Sequence, residues 1–89
     1  MPEPIRIADD VVFEVLDDET VVLNLTSGEY HTLNGTGTRA WQLIEEHHDL
    51  DRVRTAMAAE FDVDAARLAA DLERLVKDLV ERRLVTVGS

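Results

Sequence analysis

Residues 23–44, LNLTSGEYHTLNGTGTRAWQLI, change period partway along. Val21, Leu23 and Leu25 alternate as a strand does, Thr26-Ser27-Gly28 supplies turn chemistry, and Glu29 to Leu33 resumes extended character. After Asn34 the apolar spacing becomes helical, with Ala40, Trp41, Leu43 and Ile44 on one side. A hairpin that feeds straight into a helix leaves its last strand poorly placed to gain another neighbour from its own chain. That strand is expected to keep an unpaired edge, and the edge is the first place to seek function.

Working outward, Val11 to Leu16 predicts a first strand with Val11, Phe13 and Val15 on one face. Asp17-Asp18-Glu19 reads as the turn and Thr20 to Leu25 as the returning strand, so three strands form an antiparallel meander. Gly28 is placed to take a positive φ. Asn34 is a favoured N-cap for a helix running to about His47, although Gly35 and Gly37 in its first turn each cost about 1 kcal/mol relative to alanine. Glycine there makes sense where a neighbouring backbone comes close. Asp49 or Asp51 caps a second helix through Phe61, and Asp62 or Asp64 opens a third that ends near Arg83. Val85-Thr86-Val87 is short enough to be a frayed tail or a small strand. The reading is an α+β fold, a three-stranded antiparallel sheet followed by three helices. Residues 1–89 are expected to form one domain with its core at about 11–87.

The third helix carries the strongest periodicity. Leu68, Leu72, Leu75 and Leu79 fall in a narrow stripe that Ala65, Ala69, Val76 and Val80 widen to an arc of about 140°. One packing neighbour needs less, so a flank is left over for something besides the core. Beside it run Arg67, Asp71, Arg74 and Asp78, readable as an exposed ladder of ion pairs or as the charged rim of a groove.

Composition narrows the function classes. Eighty-nine residues, 45% hydrophobic and 31% charged, describe one small globular domain, too small to wall off a deep catalytic cavity. There is no cysteine, hence no disulfide or thiolate chemistry, and no apolar run long enough to cross a bilayer. MPEPIRIADD lacks the basic flank and apolar stretch of an export signal, so cytoplasmic residence is expected. The net charge is −10; residues 1–35 hold eight acids against the single base Arg6, residues 36–89 eleven acids against eight bases. That field repels phosphate backbones and attracts basic partners. His47 and His48 point about 100° apart on a helix and do not readily share a metal ion. His31 has no nucleophile nearby in sequence, Trp41 reads as core, and Asn24 and Asn34 read as turn and cap residues. No catalytic residue, metal site or cofactor is expected.

A hairpin, then LTSGEYHTLN, then GTRAW, then a short helix and a long leucine helix ending in ERRLV resembles a leader-peptide recognition domain. These are winged helix-turn-helix-like modules of the pyrroloquinoline quinone D-protein type, used in making ribosomally synthesised, modified peptides. The similarity is closest to the free-standing lasso peptide version and spans about residues 11–87. One departure is Arg83 before Leu84, where such proteins often carry glycine. The resemblance implies that a precursor's leader peptide is added antiparallel to the third strand. Glu29, Tyr30, His31, Thr32 and Leu33 would form one wall of its groove and Leu68, Asp71, Leu72 and Leu75 the other. It also implies partnership with a separate cysteine-type leader peptidase and an ATP-dependent macrolactam synthetase, with no catalytic activity in this chain.

Rival classes make different demands. A winged-helix DNA-binding regulator needs a basic recognition surface, which nine bases against nineteen acids do not provide. An acyl or peptidyl carrier needs a serine at a helix start, and the only internal serine, Ser27, falls in the expected turn. A small adaptor that docks on another protein stays open.

Overall fold

The computed structural model describes residues 3–88; Met1, Pro2 and Ser89, included in the expected 1–89 domain, lie outside the described residues. In chain order the elements are β1 (Ile5–Ile7), β2 (Val11–Leu16), β3 (Glu19–Asn24), β4 (Tyr30–Leu33), α1 (Gly35–His47), α2 (Leu50–Glu60), α3 (Ala65–Glu81) and β5 (Val85–Val87). β2, β3 and β4 form the antiparallel meander in that order, with three helices after it. The α+β expectation holds.

A second sheet was not expected. β1 pairs antiparallel with β5, Ile5 opposite Val87 and Ile7 opposite Val85, which resolves the C-terminal tail as a strand. Ile5, Leu84 and Val85 are almost wholly buried, so the core begins ahead of Val11. Main-chain bonds stitch the N-terminus in place: Ile5 N–H donates to the His48 carbonyl, Leu50 N–H to Glu3 and Ala8 N–H to Leu84. The Asp49 side chain accepts from the N–H groups of Glu3 and Asp51, both at 3.1 Å. It thereby caps α2 and anchors the N-terminal segment at once. The bond from Glu3, ahead of that from Asp51, holds the Asp49 carboxyl below its usual range.

The meander's turns follow their side chains. Asp17 takes φ +55° and Glu19 pairs with Leu16, so the first hairpin turn is shorter than expected. Asn24 is buried, its Oδ1 accepting from the N–H groups of Thr26 and Ser27, while Gly28 turns with φ +76°. Asn34 caps α1 without a side-chain bond; its carbonyl accepts from Thr38 N–H. Of the two glycines in α1, only Gly37 faces close packing: a Cβ there would sit 3.3 Å from Leu33 Cβ.

The core lies between the inner face of the meander and the helices. Trp41 is completely buried and meets Phe13 edge to face, with centroids 5.3 Å apart. Thr20 Oγ1 donates to Thr38 Oγ1 at 2.9 Å, and the Thr38 proton has the Leu33 carbonyl within 3.1 Å. This small buried network fixes β4 against the start of α1. α3 ends at Glu81, slightly before the expected limit, and Arg83 takes φ +61°. A left-handed turn explains why glycine suits that position, since a Cβ there costs about 1–2 kcal/mol. Arg83→Gly is expected to raise the urea midpoint modestly, by about 0.5–1 kcal/mol once the looser unfolded chain offsets part of the gain. A lowered midpoint would mean that the arginine side chain itself holds the turn.

Candidate functional site

The free edge of β4 can be assigned atom by atom. Its neighbour β3 pairs Thr20 with Leu33, Val21 with Thr32, Val22 with His31 and Leu23 with Tyr30. Just before the strand, Asn24 N–H donates to the Glu29 carbonyl at 2.9 Å. Hydrogen-bonded and non-bonded pairs alternate along an antiparallel ladder, so Glu29, His31 and Leu33 direct their main-chain groups to β3. Tyr30 and Thr32 direct their N–H and C=O groups the other way. No strand is paired there in the sheet order, in which β4 stands last. Two donors and two acceptors are thus presented at the spacing an incoming extended chain requires.

Side chains alternate in the opposite sense. His31 and Leu33 share the inner face with the buried Val22 and Thr20, whereas Tyr30 and Thr32 share the outer face with Leu23 and Val21. His31 confirms its direction by meeting α3: its Nδ1 lies 2.6 Å from a guanidinium nitrogen of Arg82. Arg82 also pairs with Asp78 one turn back, at 3.1 Å.

Between β4 and α3 run two adjoining hollows that share Thr32 and Leu33. The first, about 340 Å³, lies between Tyr30-His31 and Asp78, Leu79 and Arg82. The second, about 300 Å³, is bounded by Asn34, Thr36 and Gly37 and by Leu68, Asp71, Leu72 and Leu75, with Met57 also lining it. A third depression beyond Leu68 and Asp71 reaches Phe61, Val63 and Arg67. Strand edge and helix therefore form one continuous trough.

Eight of the nine residues expected at the site line this trough. Leu68 and Leu72 are nearly buried and make its floor, while Leu75 is half-buried and stands more open. Asp71 lies on the rim, 3.3 Å from Arg74 and 4.0 Å from Arg67, so the acidic ladder and the groove rim coincide. Glu29 is the exception. It precedes β4, is exposed, and closes the turn, its N–H donating to Ser27 Oγ at 3.2 Å. Asp78, Leu79 and Arg82 at one end, with Phe61, Val63 and Arg67 at the other, were not expected. The helical stripe already pointed to the first set, since Leu79 and Arg82 follow Leu75 by four and seven residues.

Nothing else competes as a site. Among the described residues no group of three or more His, Cys, Asp or Glu is arranged to hold a metal ion, and no helix is long and apolar enough to cross a membrane.

Residues 19–85 match the family described as coenzyme PQQ synthesis protein D (PqqD). The chain belongs to the PqqD family. The matched span contains β3, β4, all three helices and the start of β5, hence both walls of the trough. Among solved structures, the chain is similar to TbiB1 in complex with the TbiA(beta) leader peptide. The two are 35% identical, the alignment covers 90% of this chain and 93% of that one, and the TM-score is 0.86. It is also similar to a lasso peptide synthetase B1 complexed with the leader peptide, at 25% identity, 93% and 98% coverage and a TM-score of 0.82. Among curated protein sequences none matches.

Proposed function

We propose that this PqqD-family chain is a non-catalytic recognition element that captures the leader segment of a ribosomal precursor peptide in lasso peptide biosynthesis. The leader adds to β4 as an antiparallel fourth strand and lays its inward side chains on α3. Tyr30 and Thr32 bond it through the main chain; His31, Leu33, Leu68, Asp71, Leu72 and Leu75 form the surface it covers. The protein then presents the leader, in the cytoplasm, to a separate cysteine-type leader peptidase and to an ATP-dependent macrolactam synthetase. One observation carries the reading: a strand edge with free main-chain groups lies beside an apolar trough, in a fold shared with two chains solved in complex with leader peptides.

The energetics suit capture and release. Each new main-chain bond contributes about 0.5–1.5 kcal/mol and each buried apolar anchor about 1.5–3 kcal/mol. After the cost of ordering a flexible peptide, affinities between about micromolar and tens of nanomolar follow. Leu75 is the cleanest side-chain test, because Leu68 and Leu72 also belong to the core. Leu75→Ala is expected to weaken a fluorescein-labelled leader peptide by about tenfold or more in an anisotropy titration, through the loss of about 1.5–3 kcal/mol of apolar burial. Unchanged affinity, with native circular dichroism, would reject the trough as the binding site.

A further inference from the structure

The sheet has a second face that the trough does not use. Strand alternation buries Thr20, Val22 and Asn24 on the helix side and turns Val12, Leu16, Val21, Leu23 and Tyr30 to the other. Register aligns Val12 with Leu23 and Leu23 with Tyr30, making an apolar row across all three strands. Val12 is 47% exposed, Leu16 51%, Tyr30 69%, and Leu25 just past β3 60%. A solvated sheet face ordinarily alternates toward polar residues, and single exposed apolar side chains are commonplace. A contiguous row is not, and such patches mark contact with another macromolecule.

Charge narrows the occupant. Glu14 and Glu19 lie on this same face, Asp17 and Asp18 edge it at the hairpin turn, and no lysine or arginine occurs from Ile7 to Thr38. Nucleic acid and anionic lipid are repelled by that field, and a second copy would set acid against acid. What fits is a protein surface with apolar side chains flanked by lysine and arginine. Geometry narrows it further. A peptide added at the β4 edge extends this sheet, so its alternate side chains emerge on the same face. A protein seated on the row therefore touches the leader as well.

We infer that the outer face of the β2-β3-β4 sheet docks the leader-removing peptidase, through an apolar patch on that enzyme rimmed by basic side chains. The inference rests on the leader-capture reading. Docking and capture then use opposite faces of one sheet, and the leader contributes to both.

The test uses the full chain, the labelled leader peptide and the purified cysteine-type peptidase of the same pathway. Two independent variants are made: Val12→Lys on the edge strand β2, which tolerates lysine, and Leu25→Ser beyond β3. Each is expected to weaken peptidase binding by about tenfold in biolayer interferometry while leader affinity changes by less than about twofold. Binding of the wild-type chain to the peptidase is expected to weaken as salt rises from about 50 to about 300 mM. Peptidase affinity within about twofold of wild type in both variants, on the scale of a surface change of no consequence, overturns the inference. So does a wild-type chain that binds the leader but not the peptidase. A wild-type chain that fails to bind the leader instead removes the parent reading, and the named occupant falls with it.

Discussion

Thr32→Pro is expected to weaken leader binding by at least about thirtyfold, equivalent to about 2 kcal/mol, while leaving the fold intact. The alternation of the ladder turns the Thr32 N–H away from β3, so proline removes no bond of the free protein. It does remove a donor from the incoming strand's partner and leaves a peptide carbonyl unsatisfied against the protein. Thr32→Ala keeps the N–H and loses a side chain on the outer face, so it is expected to stay within about threefold of wild type. His31→Pro provides the contrast. Its N–H faces Val22 within the sheet, so that variant is expected to lose stability as well as binding. The measurements are an anisotropy titration with the labelled leader and a thermal melt of each variant. Equal affinities for Thr32→Pro and Thr32→Ala would show that the peptide does not pair with this edge, whatever the trough does.

Much of this site was legible before any coordinates, because local signals specified it. The change of period after Asn34 places β4 directly before α1, and Gly28 with Asn24 supplies the turn that makes β4 the last strand of the meander. The wide leucine arc of α3 named its floor. What escaped was non-local. β1 is three residues long, too short to show a period, and its partner β5 stands at the far end of the chain. Neither segment announces a strand alone; each becomes one by pairing with the other and by burying Ile5 and Val85. The division of β4 into inner and outer side chains likewise needed the register. Its four residues were read as one wall, yet only His31 and Leu33 face the helix. Glu29 was included because it looks extended in sequence, but the turn uses it instead.

The second large effect concerns the support behind that edge. Trp41→Ala is expected to cost about 3–5 kcal/mol, a large part of the roughly 4–13 kcal/mol total for a domain of this length. Trp41 is fully buried, packs edge to face on Phe13 of β2, and holds the inner face of the meander against α1. Its deletion leaves a cavity beneath the sheet whose last strand offers the free edge. Trp41→Phe is expected to cost less than half as much. It keeps a ring against Phe13 and removes an indole Nε1 that has no hydrogen-bond partner among the described residues. Urea denaturation followed by circular dichroism compares the two. A cost below about 1 kcal/mol for Trp41→Ala would place this residue outside the structural core despite its burial. Trp41 is also the only tryptophan. Because it lies in the core and not in the trough, its emission reports folding, and peptide capture must be read from a label on the peptide. An intrinsic-fluorescence change on adding unlabelled leader would therefore mean that binding repacks the interior, which a strand added at a preformed edge does not require.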